Sequence, residues 1–441
     1  MSEWAKVRLK DIAEIKIGGT PSRTISAYWA SEGQDGHQWC AISDLKGRYI
    51  SETKERITDS GVINSNVKLL NAGSFVMSFK LSIGRGAILK SPMYTNEAIA
   101  GFESKGAINS DFLYYVLPQA ALRSVTDVAV KGATLNKESL GNIVLSIPAS
   151  ESQQGCIANI LQTIDEAIEK TEQLIEKYQQ IKAGLMNDLF TRGIGADGKL
   201  RPPREQAPEL YWESPIGWIP MGWKVLRVSE VVESLIDGPF GSNLKSEHYV
   251  LEPGVPVVRL QNITSYSYAD SDRAFISDEH ALNLIKNKVL PGDVLIAGLG
   301  EERYPVGRAC CYPDDFPSAI NKADCFRARC DQSVMNNQFF MLFLNSHIAK
   351  TQIRKFEQGV TRPRVNTGNL KKIFSVVPSI REQRRFVNKF NAVSKVMKSH
   401  ADELNKYRKQ KSGLMHDLLT GKVSVSADLP VEPVSPEEGA A

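Results

Sequence analysis

Two stretches of the chain keep a single apolar stripe at helical spacing for much longer than an ordinary helix. In the first, Ile157, Ile160, Ile164, Ile168, Leu174, Ile175, Tyr178, Ile181, Leu185 and Leu189 fall on one face. In the second, Phe386, Phe390, Val393, Met397, Leu404, Tyr407, Leu414 and Leu418 do the same. Neither stretch holds a proline after its opening turn. About 35–40 residues at 1.5 Å each make a helix roughly 55–60 Å long, more than one small domain covers. The pattern predicts helices over residues 151–191 and 381–421 that pack on each other as an antiparallel coiled coil. The competing reading, in which each helix serves only the core of its own half, requires lone amphipathic helices of uncommon length.

Ahead of each helix the pattern shortens. β-type runs such as Gly73-Ser-Phe-Val-Met-Ser-Phe79 and Gly292-Asp-Val-Leu-Ile-Ala-Gly298 are broken by Gly, Pro, Asn and Ser. Helical stretches, 111–117 and 335–344, stand among them. Two mixed α/β bodies of about 150 residues each are expected.

The chain is also written twice. Trp4 to Glu14 aligns with Trp223 to Glu233 at an offset of 219. Leu140 to Gln153, with Pro148, aligns with Leu370 to Gln383, with Pro378, at an offset of 230. Gly184-Leu-Met-Asn-Asp-Leu-Phe190 aligns with Gly413-Leu-Met-His-Asp-Leu-Leu419 at 229. Three blocks in one order make an internal repeat of domain plus helix. Residues 192–221, rich in Gly and Pro, read as the linker between the copies. A rod of paired helices with one domain at each end would fix the distance and relative rotation of the two domains.

Composition changes this picture little. At 441 residues with 42% apolar and 24% charged positions, the chain suits two or more folded domains. Net charge is +4, but residues 424–441 carry Asp428, Glu432, Glu437 and Glu438 and no base, so the rest stands near +8. That mild cationic bias suits phosphate contacts. The acidic, Pro-containing segment 422–441 is expected to be disordered. No apolar run approaches a membrane span and the first residues lack a signal-peptide pattern, so a cytoplasmic address is expected. Six cysteines, none in a Cys-x-x-Cys pair, read as reduced, mostly buried thiols.

Strings that suggest catalysis fail on context. Gly193-Ile-Gly195-Ala-Asp-Gly198 has the dinucleotide-binding spacing but follows a helix end instead of a strand, so it reads as a helix cap and turn. Asp237-Gly-Pro239-Phe240 echoes an adenine-methyltransferase site with Gly238 in place of its first proline, and no cofactor loop stands upstream. No phosphate-cradling loop is present, and His37, His248, His280, His347, His400 and His416 lack metal-ligand spacing. His400 lies on the helical stripe as a packing residue. Catalysis by this chain alone is not expected, nor is a cofactor or metal.

Several motifs together resemble the DNA specificity subunits of type I restriction-modification systems. In the first half they are Gly18-Gly-Thr-Pro-Ser-Arg23, Tyr28-Trp29, Trp39-Cys-Ala-Ile-Ser-Asp44-Leu45, Phe75-Val-Met-Ser-Phe79 and Ile83-Gly84-Arg85-Gly86-Ala87. In the second they are Asp237-Gly-Pro-Phe-Gly241-Ser242, Val257-Val-Arg259-Leu-Gln-Asn262-Ile263, Pro291-Gly-Asp293-Val-Leu, Val306-Gly-Arg308 and Gly359-Val-Thr361-Arg362-Pro363. The first half departs at Lys131-Gly132-Ala133-Thr134, where the Arg-Pro of the second is missing. The resemblance implies an α/β architecture of two similar target-recognition domains, 1–150 and 222–380, each followed by a long helix of the coiled coil. It further implies double-stranded DNA with a bipartite site as ligand. Two methyltransferase subunits would supply adenine methylation, and restriction subunits would supply translocation and cleavage. The exposed helix faces and the Gly-Leu-Met-x-Asp-Leu ends are then docking candidates for those partners.

Base edges are read by Arg or Lys on guanine, Asn or Gln on adenine, and Ser or Thr on either, from loops that a sheet holds in place. Candidates in the first domain are Arg23, Lys80, Ser82, Arg85, Lys131 and Thr134. Those in the second are Ser242, Asn243, Lys245, Gln261, Asn262, Arg303, Asn321, Lys322, Arg362 and Arg364. Most contacts from such a set would go to phosphate. Gly84 and Gly86 around Arg85, and Gly238 and Gly241 around Pro239-Phe240, permit close backbone approach or a plain tight turn. Two other readings compete: a coiled-coil adaptor that binds no DNA, and a one-chain methyltransferase, which would need the cofactor loop that is missing.

Overall fold

Phe75–Ser78 reads as an unbroken apolar run because the strand is covered on both faces. Alternation sends Phe75 and Met77 into one core and Val76 into another. Val294–Ala297 behaves alike, with Val294 and Ile296 on one side and Leu295 and Ala297 on the other. The computed structural model, which describes residues 4–31, 33–129, 135–301 and 304–425 (side chains of 125–129 apart), forms two units. The first unit comprises residues 1–172 and 402–441, the second residues 173–401.

Each unit repeats one plan. The first has antiparallel neighbours in the order Ala13–Ile17, Ile99–Ser104, Phe75–Ser78, Gly86–Leu89, with Tyr49–Ile50 added parallel at the edge. The second has Val232–Ile236, Cys325–Cys330, Val294–Ala297, Ala309–Cys311 in the same order. A second sheet in each contains one parallel pair, placing Cys40 opposite Thr95 and Val258 opposite Asn321. Trp4–Arg8 pairs with Val144–Pro148, and Lys224–Arg227 with Phe374–Val377. Helices Ser110–Ala129 and Asn337–Asn345 lie on the sheets, each started by an asparagine cap: Asn109 Oδ1 accepts the Phe112 N–H and Asn336 Oδ1 the Phe339 N–H, both at 3.1 Å. The mixed α/β class expected from the sequence is thus observed.

A buried glutamine ties each long helix to its domain. Gln154 Oε1 accepts the Asn109 N–H at 2.8 Å while its Nε2 donates to Pro148 O at 3.0 Å. Gln383 does the same with Asn336 at 2.8 Å and Pro378 at 2.9 Å. Sequence alignment pairs Gln153 with Gln383, but the structural partner is Gln154, one residue on. The chain between proline and glutamine is one residue longer in the first half.

The long helices run Glu151–Arg192 and Ile380–Leu419. In the first unit Asp165 meets Lys411 at 2.5 Å and Glu172 meets Arg408 at 2.6 Å. In the second, Tyr178 stacks on His400 and Phe190 packs on Phe386, with ring centroids 5.6 and 5.5 Å apart. Within each unit the two helical segments therefore run antiparallel. Two helices alone cannot cover a broad stripe, and Leu174 and Ile181, expected to face inward, are exposed.

The Gly-Leu-Met blocks enter the domain cores. Met186, Leu189 and Phe190 are buried in the second unit's core, and Leu418 and Leu419 in the first unit's. Each domain core is completed by the helix that follows the other domain, so the apolar faces of these ends are used internally. Residues 192–221 are likewise more than a linker. They hold the hairpin Tyr211–Ser214 with Gly217–Pro220, and buried Glu382 takes Arg201 at 2.6 Å, the Trp223 indole N–H at 3.1 Å and the Ile194 N–H at 2.7 Å. Of the segment expected to be a disordered tail, residues 426–441 lie outside the described residues. Residues 422–425 pack on the first unit, where Val425 O accepts from Gln153 Nε2 at 3.0 Å.

Candidate nucleic-acid interface

In the first unit the turn between Phe75–Ser78 and Gly86–Leu89 carries Lys80, Ser82 and Arg85, all exposed. Its backbone is closed by Ser78 N–H to Arg85 O at 2.8 Å and Gly84 N–H to Ser78 O at 3.1 Å. Gly84 takes φ +88°, which a side chain would strain. Arg23 comes from the preceding Gly18-to-Arg23 turn. Its guanidinium forks onto Glu55 at 2.5 and 2.9 Å and lies 3.6 Å from the Trp29 ring centroid. Glu97 joins this group. The Thr20 hydroxyl, then the charges of Lys80 and Arg23, hold its carboxyl below the usual range. Arg23 and Lys80 thus belong to one charged cluster, while Lys131 and Thr134 lie outside the described residues.

In the second unit the turn after Val232–Ile236 presents Phe240, Ser242, Asn243 and Lys245 to solvent. It is seated tightly, since a Cβ on Gly238 would fall 2.0 Å from the Lys322 backbone. Lys322 donates to the Tyr249 hydroxyl at 2.8 Å, and His280 Nε2 meets Asn243 O at 2.8 Å. Gln261 and Arg362 line one hollow of about 490 Å³ together with Thr264, Glu301 and Tyr304. Arg364 is paired with Asp324 at 2.9 Å. Glu301 and Tyr304 are residues that sequence reasoning missed; a lone acid and a tyrosine in a variable loop give no periodic signal. Arg303 lies outside the described residues.

Two candidates leave the set. Asn262 is buried and its amide donates to Ala269 O at 2.8 Å and Asp272 O at 3.1 Å. Asn321 is fully buried and donates to Cys325 O at 2.5 Å. Both amide nitrogens are committed to backbone carbonyls. Asn262 has a counterpart that alignment does not expose: its Oδ1 accepts the Arg259 N–H at 2.9 Å as Asp44 Oδ2 accepts the Ala41 N–H at 2.9 Å. The turns so capped are then tied to an arginine. Arg85 Nε donates to Leu45 O at 2.6 Å, and Arg308 Nε to Ile263 O at 2.7 Å. Arg308 is buried and gives its remaining N–H groups to the carbonyls of Leu260, Leu299, Tyr304 and Pro305. Arg85 therefore combines a structural tie with an exposed guanidinium.

The strings with catalytic echoes have structural uses. Gly193 takes φ +66° just past Arg192, with its N–H on Leu189 O at 3.1 Å, as a helix cap does. Asp237 Oδ1 accepts the N–H groups of Gly238 at 2.7 Å and Asp324 at 2.9 Å, and burial pushes its carboxyl up to about 6. Cys40, Cys310, Cys325 and Cys330 are buried free thiols, raised by desolvation. Among the described residues no His, Cys, Asp and Glu group is placed to hold a metal ion, and no helix is long and apolar enough to cross a membrane.

Known proteins match the chain along most of its length. The profile of the type I restriction modification DNA specificity domain matches twice, over residues 1–180 and 220–406. The type I restriction enzyme MjaIX specificity subunit of Methanocaldococcus jannaschii is 23% identical over 431 residues, 96% of this chain and 94% of that protein. The MjaVIII specificity subunit of the same organism is 26% identical over 439 residues, 96% of this chain and 93% of that one. Among solved structures, the type I restriction-modification S subunit from M. genitalium superposes with a TM-score of 0.55 at 14% identity, covering 95% of this chain and 96% of the other.

Proposed function

Since the chain belongs to the family of type I restriction-modification DNA specificity subunits, we propose that it reads the two halves of a bipartite DNA site and directs partner subunits that methylate or cleave. The observation that carries this reading is the duplication: a family match on each half, each with polar and cationic turns beside the same strand pair. Residues 1–150 and 222–380 are the two reading heads. Arg23, Lys80, Ser82 and Arg85 act in the first, joined by Lys131 and Thr134. Ser242, Asn243, Lys245, Gln261, Lys322, Arg362 and Arg364 act in the second, joined by Arg303. Arginine and lysine neutralise phosphates or pair with guanine, while Gln261 and Asn243 suit adenine. Glu301, beside Gln261 and Arg362, would accept from a cytosine amino group.

The chain itself performs no bond-breaking step in this reading. Methyltransferase subunits supply adenine methylation and restriction subunits supply cleavage. Exposed Leu174, Ile181 and Val396 on the long helices suit docking of those partners. Methylome sequencing tests the proposal. Cells expressing this gene with a methyltransferase subunit of the same kind of system are compared with cells lacking this gene alone. Adenine methylation at a split motif should vanish with the deletion. A methylome that does not change while the methyltransferase is expressed would instead favour an adaptor that binds no DNA.

A further inference from the structure

Among the described residues, five large aliphatic side chains are more than two-thirds exposed: Ile63, Leu81, Leu251, Leu282 and Val360. Three stand beside carboxylates, Ile63 by Asp59, Leu251 by Glu252, and Leu282 by Asp278 and Glu279. The other two have the denser cationic neighbourhoods, with Glu97 in the Lys80 cluster and Glu357 three residues before Val360 as nearby acids. Leu81, 68% exposed, sits between Lys80 and Arg85, and Val360, 100% exposed, precedes Arg362 and Arg364.

Both are held out on pinned turns. Below Val360, Gln358 and Arg364 exchange two backbone hydrogen bonds of 2.9 Å, Gly359 takes φ +91°, and Asp324 anchors Arg364. Below Leu81, the Ser78 hydroxyl donates to Leu81 O, and Ser82 takes φ +52°, a conformation that costs free energy outside glycine. An aliphatic tip gains from leaving water only against an apolar surface, and surrounding cations favour a polyanion. Duplex DNA offers both, because its stacked base faces are apolar and its rim is phosphate.

We propose that Leu81 and Val360 are wedges that enter the base stack, one in each half-site, while the neighbouring cations hold the flanking phosphates. This rests on the recognition reading above and extends it. Part of the specificity would then come from how easily a base step opens, which favours pyrimidine–purine steps at the wedge.

The test uses the full chain assembled with its methyltransferase subunits and a duplex carrying the split motif. 2-Aminopurine is placed in turn at positions other than the methylated adenine. Unstacking by the wild-type complex should brighten one position in each half by about twofold or more. Leu81→Ser should abolish the signal in one half and Val360→Ser in the other, with Leu81→Met and Val360→Leu retaining it. If the complex binds the motif but no position brightens, or if brightening survives both serine variants, the wedges are refuted and recognition stands. Equal binding to motif and scrambled duplex would remove recognition and wedges together. Serine variants that shed the methyltransferase subunits on gel filtration would make the tips protein contacts, which also overturns the proposal.

Discussion

Asp237 collects two backbone N–H groups on one oxygen at the root of the turn that presents Ser242 and Asn243. Its carboxyl, near 4 in an unfolded chain, is pushed up to about 6 by burial. Between those values the folded protein holds the extra proton, so this group's contribution falls as pH rises through 6. Asp237→Asn keeps the acceptor and removes the charge. Discounted for solvent screening, it should stabilise the protein by about 1 kcal/mol at pH 8 and by much less near pH 4. Thermal melts across that range check it, and an equal shift at every pH would refute it. Single residues are where the sequence was least legible. Asn262 and Asn321 have the side chains that read adenine, yet both are buried turn-holders; residue type cannot separate the two uses because both employ the same amide. Arg85 and Arg308 could be aligned through their glycines, but their shared tie to a backbone carbonyl needed coordinates.

At the scale of elements, the repeat offset of 229 places Lys182 on Lys411 and Asp165 on Ser394. In the first unit Lys411 pairs with Asp165, which accepts from the Tyr115 hydroxyl at 2.9 Å, and Arg48 donates to that hydroxyl at 2.6 Å. In the second unit the matching lysine is set against aromatic rings. Lys182 lies 4.8 Å from the Tyr266 ring centroid and 4.4 Å from that of Phe390, burial lowers its pKa, and the Ser394 hydroxyl is buried without a partner. Ser394→Asp would place a carboxylate at the position matching Asp165 and should raise stability by about 1 kcal/mol, less in high salt. A urea midpoint that falls or does not move would show that the repeat does not place the two side chains together. Helices were the most legible elements, because only a helix keeps an apolar stripe in phase over about ten turns. Their depth of burial was not, since periodicity names the face that turns inward without saying what covers it, and Leu174 and Ile181 remain exposed.

At the scale of the molecule, the first unit's core needs residues from the far end of the chain. Leu418 and Leu419 are buried in it, with Leu414, Met415 and Val425 alongside. A chain ending at Lys411 loses all of them. Removing a buried leucine costs about 2–5 kcal/mol and a whole domain has only about 5–15 kcal/mol in hand. Hydrogen exchange should show protection collapsing across residues 75–102 and persisting across 294–330. Unchanged protection in the first range would sink the idea. The duplication itself was readable from three blocks, whereas their exchange was hidden, because a repeat reveals that two segments are alike but not which core each one enters. The exchange also sets an order of events during synthesis. Residues 173–401 make up the whole of the second unit and emerge from the ribosome before residue 402. The domain translated last can therefore close first, while the domain translated first waits, with an open core, for the final turns of the last helix.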